Sequence, residues 1–170
     1  MNRIAKFEKV SFEQFVEDTK DFLIGLTDEE VKDRYQQIIL PKRATIASAG
    51  YDFFTYRDIV LKPKETIKIP TGIRCKVDES YVLLITPRSG LGFKYRLQLD
   101  NTIGVIDADY YFARNEGHIF IKITNDSIED KCLTLKEGEA FAQGIFVQYG
   151  ITFDDDVEEK RIGGFGSTTK

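Results

Sequence analysis

The feature that most limits the possible folds is a change of hydrophobic period near Pro41. Beyond that residue, short stretches rich in β-branched and aromatic residues are separated by Gly, Pro, Asp and Asn, which is typical of strands joined by turns. Strands are predicted at residues 51–56, 66–70, 73–77, 81–86, 118–125 and 141–149. Because no long helical pattern interrupts this run, the sequence predicts an all-β sandwich or jelly-roll-like barrel and argues against a doubly wound α/β fold.

The N-terminal segment, residues 1–41, has helical signals instead. Ser11 with Gln14, and Thr27 with Glu30, have the spacing of capping boxes. Each pair precedes apolar residues at helical spacing, which are Phe12, Phe15, Val16, Thr19, Phe22 and Leu23, then Val31, Tyr35, Ile38 and Ile39. We therefore predict a short α-helical N-terminal extension, whose aromatic face packs on the following domain or on a partner subunit.

Composition is that of an ordinary globular protein. A formal net charge of −4 does not suggest a surface that coats nucleic acid. No apolar run reaches membrane-spanning length, and the charged N-terminus is unlike a signal peptide. Cys75 and Cys132 belong to no CxxC motif, so two free thiols are expected, although one disulfide is also compatible. These features predict a cytoplasmic protein that binds neither nucleic acid nor membrane.

Two loop segments carry side chains that a plain β-domain does not need. The segment PRSGLG, residues 87–92, follows an apolar strand, and a Gly-rich loop with an Arg and a Ser hydroxyl can hold phosphate oxygens. The segment NTIGVIDADY, residues 101–110, contains Asp107 and Asp109, which share one face if the chain is extended. One of them would act as a general base. A surface turn and solvated carboxylates are the plainer interpretations.

Two further segments complete a set. Gln143 lies in the apolar segment GEAFAQG, residues 138–144, where its amide must pair with backbone or with a ligand phosphate. The end of the chain, residues 163–170, is a mobile tail by composition. Its Phe165 would stack on a base if the tail closed over a ligand, with the following hydroxyls on a terminal phosphate. Together, the four segments predict hydrolysis of a nucleoside triphosphate.

In this order the segments resemble the all-β, trimeric dUTP diphosphatase (dUTPase) family, from about Arg43 to the C-terminus. The segment AGYD, residues 49–52, resembles the first family motif, and PRSGLG, NTIGVIDADY, GEAFAQG and GGFGST resemble the other four. The resemblance implies a jelly-roll-like distorted β-barrel over residues 42–159 and a mobile C-terminal arm, residues 160–170, that closes over the active site. It also implies a homotrimer with active sites at subunit junctions.

The implied reaction is hydrolysis of dUTP to dUMP and pyrophosphate, which keeps uracil out of DNA and supplies dUMP for thymidylate synthesis. Mg²⁺ would be the cofactor, held mainly by the substrate phosphates rather than by protein ligands. Asp107 matches the base that activates water for attack on the α-phosphorus. Asp52 matches a supporting residue, and Asp109 is expected to support the base from beside it.

The resemblance also assigns the substrate contacts. Tyr110 matches the tyrosine that packs under the sugar and excludes a 2′-hydroxyl. The hairpin that reads uracil matches Asn101 with the backbone of Gly104, Val105 and Ile106. Phosphate positions match Arg88, Ser89, Gly90 and Gln143. The arm over the base and γ-phosphate matches Phe165, Gly166, Ser167 and Thr168, preceded by Lys160 and Arg161, either of which would reach the γ-phosphate.

The chain departs from the family pattern in three places. Residues 111–116 lie between Tyr110 and Gly117, where the family usually has one residue, so a loop beside the site is enlarged. The arm ends Ser-Thr-Thr rather than Ser-Thr-Gly, and the N-terminal segment is not part of the common core. His118, the single histidine, is expected to be a strand residue without a catalytic role.

Two other functions are weighed against dUTP hydrolysis. The related dCTP deaminases share the fold and the phosphate loop, but use a glutamate where this chain has Lys122, which cannot serve as that carboxylate. A non-catalytic module that binds dUTP or a regulatory protein would also resemble the family, and Asp107 favours an enzyme over such a binder. A regulatory partner docking on Phe12, Phe15 and Phe22 would be an additional role.

Overall fold

The computed structural model describes residues 2–159, and most of their regular structure is β-strand. The helices are α1 (Phe12–Thr19), α2 (Asp28–Gln37) and α3 (Ser89–Tyr95), and a 3-10 helix spans Ala108–Phe112. The strands are β1 (Ala5–Lys9), β2 (Lys42–Arg43), β3 (Tyr51–Phe54), β4 (Ile59–Leu61), β5 (Thr66–Pro70), β6 (Ile73–Val77), β7 (Tyr81–Pro87), β8 (Leu97–Leu99), β9 (Gly104–Ile106), β10 (Phe120–Asn125), β11 (Leu133–Leu135) and β12 (Ala140–Gln148).

The strands of the described range form four antiparallel sheets. The largest has the order β2-β3-β12-β7-β9, and the second has the order β5-β10-β8. Two further pairs are β1 with β6 and β4 with β11. These ladders do not close into the predicted barrel within residues 2–159. The physical reason is that β2, β4, β8, β9 and β11 have only two or three residues each, too few to carry hydrogen bonding from one sheet to the next.

The core lies between the inner faces of these sheets. In β10, Ile121 and Ile123 are buried while Lys122 and Thr124 face outward, the alternation that a half-buried strand requires. The same alternation buries Cys75 at the centre of β6, and burial raises the pKa of its thiol to about 12. Cys132 is exposed, and both cysteines are free thiols. The strands predicted at residues 66–70 and 73–77 are confirmed with the same bounds.

The N-terminal segment differs from the sequence prediction at its start. Strand β1 precedes the helices and pairs with β6, with Ala5 opposite Val77 and Lys9 opposite Ile73. Its apolar positions, Ala5 and Phe7, are too few for a period of two to be recognised beside the charged Lys6, Glu8 and Lys9. The first residues of the chain are therefore part of a sheet, and not helical as predicted.

The two helices that follow pack on the same chain. Phe15 of α1 is fully buried, with its ring centroid 5.3 Å from that of Tyr35 and 5.4 Å from that of Tyr56. The Thr27–Glu30 capping box of α2 is complete. No helix within residues 2–159 has the length and apolarity needed to cross a bilayer.

Candidate active site

The predicted phosphate loop begins where β7 ends, and it forms a short helix rather than an open loop. Arg88 precedes α3, and the N–H groups of Leu91 and Gly92 donate to its carbonyl. The Nε of Arg88 lies 3.3 Å from Oδ1 of Asp52, whose side chain is mostly buried. A guanidinium has five N–H donors, so one carboxylate does not exhaust its capacity to bind an anion. Asp52 thus orients Arg88, which joins the first and second predicted motifs.

A cavity of about 610 Å³ lies at this end of the five-stranded sheet. The predicted phosphate positions Arg88, Ser89 and Gly90 line it, together with Asp52 and Lys94. The sequence prediction misses Lys94 because PRSGLG is interpreted as a loop. Four residues after Gly90 on a helix, a lysine faces the same side. We call this space the phosphate cavity.

Gln143 lies on β12, opposite Asp52, which lines the phosphate cavity. Strand β12 pairs with β3 and β7 at once, which places Gln143 opposite both Asp52 and Thr86. Its side chain reaches towards Gly50, where an added Cβ would lie only 2.7 Å from the Gln143 Oε1 atom. The first, second and fourth predicted motifs therefore meet at one end of this sheet.

A second cavity, of about 360 Å³, contains the predicted uracil-reading residues Asn101, Gly104 and Ile106. We call it the base cavity. Val105 is 53% exposed because alternation along β9 turns its side chain away from its neighbours. An added Cβ at Gly104 would lie 3.1 Å from the Cβ of Ile85, so this close approach favours glycine.

The segment that carries Asn101 is not the hairpin that the sequence predicts. Strand β8 pairs with β10 in the three-stranded sheet, whereas β9 pairs with β7 in the five-stranded sheet. The turn between them, with Thr102 at φ +67°, thus crosses from one sheet to the other. The reason is that β8 and β9, with only three residues each, form their backbone hydrogen bonds with strands of two different sheets and not with each other.

Two lysines and one carboxylate also line the base cavity. Lys122 lies directly across from Lys68 on the paired strands, and both line the cavity. The Nζ atom of Lys122 is 2.7 Å from Oδ2 of Asp100. Hydrogen bonds from Lys122 and Thr124 hold the pKa of Asp100 below its ordinary value. Lys122 is therefore paired with Asp100. It stands at the position where the dCTP deaminases have a glutamate.

Asp107 follows Ile106 directly and is half-buried. Its backbone is extended, but the chain then turns into the 3-10 helix, with the Tyr110 N–H donating to the Asp107 carbonyl. The prediction that Asp107 and Asp109 share one face of an extended chain is therefore wrong. The physical reason is that the 3-10 helix begins immediately after Asp107. The exposed Asp109 lies in this helix, so its side chain does not follow the two-residue alternation of a strand.

Tyr110 lies in the 3-10 helix that follows Asp107 and is 3% exposed. Its hydroxyl donates to the His118 carbonyl at 2.7 Å and accepts from the Asn115 side-chain amide at 2.9 Å. The Tyr110 hydroxyl is thus hydrogen-bonded to the enlarged loop and to His118, two residues before β10. The predicted arm residues Lys160, Arg161, Phe165, Gly166, Ser167 and Thr168 lie outside the described residues.

Comparison with known proteins decides the family, since the dUTPase family model matches residues 36–169. This chain belongs to the dUTPase family. The deoxyuridine 5′-triphosphate nucleotidohydrolase of Lactococcus lactis is 39% identical over 144 residues, covering 82% of this chain and 95% of that protein. The enzyme of the same name from Finegoldia magna is 40% identical over 136 residues, covering 76% and 90%.

Solved dUTPase structures share the fold. The crystal structure of the Streptococcus mutans dUTPase aligns with a TM-score of 0.61 at 31% identity, covering 86% of this chain and 97% of that one. The dUTPase of Staphylococcus bacteriophage 80alpha, solved with dUpNHpp, aligns with a TM-score of 0.63 at 23% identity, covering 93% and 90%. These likenesses place the phosphate and base cavities on a dUTPase fold.

The predicted base and the predicted phosphate loop of this dUTPase chain lie apart. In the β7–β9 register Leu83 is opposite Ile106, so Asp107 lies level with Val82. Arg88, the residue directly after β7, is six residues beyond Val82. At about 3.3 Å of rise per residue, the backbones of Asp107 and Arg88 are separated by about 20 Å. Within one chain, the predicted base and the predicted phosphate loop therefore occupy different places.

Proposed function

We propose that this chain is a dUTP diphosphatase that hydrolyses dUTP to dUMP and pyrophosphate, with Asp107 as the base that activates water. The observation that carries the proposal is the base cavity, which gathers Asn101, Gly104 and Ile106 immediately before Asp107. Family membership supports the same reaction. In a cell this reaction would remove dUTP before DNA synthesis uses it and supply dUMP for thymidylate synthesis, and we place it in the cytoplasm.

The proposed uracil recognition uses backbone groups of β9. This strand is at the edge of its sheet, with β7 on one side only. An edge strand offers a row of N–H and C=O groups to a partner, and uracil has a mixed donor and acceptor edge to match them. Cytosine reverses part of that pattern and would leave buried polar groups unpaired, a discrimination that can reach about 10⁴. The thymine methyl would be excluded by lack of room.

The proposed chemistry is in-line attack of water on the α-phosphorus. Asp107 accepts a proton from the water, and pyrophosphate leaves with the β- and γ-phosphates. Arg88, with Ser89, Gly90 and Gln143, would stabilise the charge on the phosphates, and Tyr110 would pack under the sugar. Asp52 supports the site by orienting Arg88.

Mg²⁺ fits this site as a partner of the substrate rather than of the protein. Within residues 2–159 no group of three or more His, Cys, Asp or Glu side chains is placed to hold a metal ion. Mg²⁺ commonly takes phosphate oxygens and water as ligands, with few protein carboxylates. We propose that it is held mainly by the triphosphate, where it would neutralise developing charge.

A complete site requires more than one copy of the chain. Asp107 and Arg88 must both reach one triphosphate, yet their backbones are about 20 Å apart along the paired strands of a single chain. We therefore propose a homotrimer of jelly-roll subunits, with sites at subunit junctions. The arm of residues 160–170 would close over the nucleotide, with Lys160 or Arg161 and Ser167 and Thr168 at the γ-phosphate and Phe165 and Gly166 over the base.

Pyrophosphate release from each of the four canonical dNTPs and dUTP, with Mg²⁺ present, tests the proposal. We expect turnover of dUTP alone. The Asp107→Asn variant should lose about 10²–10⁴ in kcat, the usual contribution of a general base, without a loss of thermal stability. Ammonia release from dCTP would instead indicate a deaminase, and dUTP binding without turnover would indicate a non-catalytic module. Either result would overturn the proposal.

A further inference from the structure

A buried hydrogen-bond network surrounds the hydroxyl of Tyr110. That hydroxyl donates to the His118 carbonyl and accepts from Nδ2 of Asn115, which also lies 3.4 Å from the same carbonyl. Asn115 belongs to the enlarged loop of residues 111–116. The three groups form a closed triangle, so the Tyr110 ring cannot move without breaking hydrogen bonds, of which the one to the His118 carbonyl is buried.

His118 is itself fixed from the N-terminal segment. The Gly72 N–H donates to its Nε2 atom at 2.7 Å, so Nε2 is the acceptor and Nδ1 carries the proton. Nδ1 then donates to Oδ2 of Asp18 on α1, at 2.6 Å, and the Gln14 amide donates to the same oxygen. Burial acts to raise the pKa of Asp18, but the hydrogen bonds from His118 and Gln14 outweigh it, and the pKa lies below its ordinary value. Asp18 therefore stays a carboxylate that holds the imidazole.

The enlarged loop is hydrogen-bonded to the N-terminal end of α1, whereas His118 is hydrogen-bonded near its C-terminal end. Glu116 accepts hydrogen bonds from the Ser11 N–H at 2.7 Å and from the Ser11 hydroxyl at 2.6 Å, at the start of α1. Tyr111 donates its hydroxyl to Glu8 of β1 at 2.6 Å. The Arg74 guanidinium lies 4.5 Å from the centroid of the Tyr111 ring and pairs with Glu8. These hydrogen bonds therefore connect the enlarged loop to the N-terminal segment at both β1 and α1.

We propose that Asn115, His118 and Asp18 are positioning residues that fix Tyr110, and that the chain uses them to prefer deoxyribose over ribose. The inference rests on the proposed place of Tyr110 under the sugar. A 2′-hydroxyl is rejected only if the ring cannot retreat from it, because a displacement of a few tenths of an ångström would make room. The N-terminal segment and the enlarged loop, both departures from the family pattern, supply that rigidity.

The test is the ratio of kcat/KM for dUTP to kcat/KM for UTP, measured as pyrophosphate release by the full chain. Partial unfolding lowers both rates equally and leaves the ratio unchanged, so the ratio reports positioning. Asn115→Ala and Asp18→Leu should each lower it about five- to tenfold, the size expected for the loss of one buried hydrogen bond. Arg114→Ala, an exposed neighbour in the same loop, should leave it at the wild-type value.

A double-mutant cycle shows whether Asn115 acts through the Tyr110 hydroxyl. Tyr110→Phe should lower the ratio by a similar factor, and adding Asn115→Ala should lower it no further, because the shared contact is already lost. Equal losses of both rates in Asn115→Ala and Asp18→Leu, with an unchanged ratio, would overturn the inference. Should Tyr110→Ala itself leave the ratio unchanged, the proposed place of Tyr110 would be wrong, and the inference would fail for that separate reason.

Discussion

Gly144 and Gly50, which lie beside Gln143, are needed because a larger side chain would clash with neighbouring atoms, and not because of a positive φ angle. An added Cβ at Gly144 would lie 2.7 Å from Cδ1 of Leu83 and 3.1 Å from the Phe53 ring, inside the core. An added Cβ at Gly50 would lie 2.7 Å from Oε1 of Gln143, at the end of a side chain that is able to move. The first glycine therefore protects packing, and the second protects the position of an amide.

Gly50→Ala should impair turnover more than stability. The new methyl displaces the Gln143 amide from the row beside Asp52, and a misplacement of about 1 Å in a phosphate contact can cost roughly ten- to hundredfold in kcat/KM. Steady-state kinetics with dUTP and thermal unfolding of the same preparation check both parts. Gly150→Ala is the matched control, because an added Cβ there meets nothing within 4 Å. Unchanged kcat/KM in Gly50→Ala would mean that Gln143 does not contact the substrate.

At the scale of elements, the strands with sustained alternation could be predicted from the sequence, and the shortest ones could not. β5 and β6 have five residues each, which is enough for a period of two to be recognised. β4 and β11 have three residues each and exist because they pair with each other across the chain. α3 contains two glycines, so its sequence favours a loop, and Lys94 is missed as a result.

The anchoring of α1 could not be predicted from any local pattern. Its capping residue Ser11 accepts from the Gln14 N–H as predicted, but its own N–H and hydroxyl donate to Glu116, 105 residues away. Asp18 and His118 are likewise 100 residues apart. Such contacts depend on the packed fold, and three of these four residues, Ser11, Asp18 and Glu116, belong to segments that depart from the family pattern.

These contacts predict how α1 responds to acid. The pKa values of Asp18 and Glu116 lie below their ordinary values of 3.8 and 4.5. A carboxyl with a lowered folded-state pKa contributes stability that is present above its ordinary value and is lost as pH falls through the folded-state pKa. Asp18→Asn should therefore lower Tm at pH 7, and the Tm difference from wild type should shrink as pH falls below about 3.8.

Thermal unfolding of wild type and Asp18→Asn between pH 7 and pH 3 measures this difference directly. The control is Asp21→Asn, since Asp21 is exposed in the turn after α1 and a surface substitution of this kind usually changes stability by less than about 0.5 kcal/mol. A Tm difference for Asp18→Asn that stays constant down to pH 3 would show that the Asp18 charge does not stabilise the fold.

At the scale of the whole molecule, the motifs alone do not reveal that the predicted site residues lie in two separate cavities. The motif residues predict which groups bind phosphate and which bind the base. In the structure Arg88, Ser89 and Gly90 line one cavity, and Asn101, Gly104 and Ile106 line the other. The separation along β7 and β9 follows from strand register, which a linear motif does not contain. In our proposal, this separation is the reason why one site would take groups from two copies of the chain.

Mixing two inactive variants tests that requirement. Asp107→Asn lacks the proposed base and Arg88→Ala lacks the proposed phosphate ligand, so each alone should be nearly inactive. If one site takes the two groups from different copies, an equimolar mixture unfolded and refolded together should recover about a quarter of wild-type activity, because each group is drawn independently from two kinds of chain. Asp107→Asn mixed with the double variant Asp107→Asn/Arg88→Ala is the control and should recover none. If native mass spectrometry shows mixed oligomers of normal size, no recovery in the first mixture would mean that Asp107 and Arg88 act from the same chain and that the subunit-junction site is wrong.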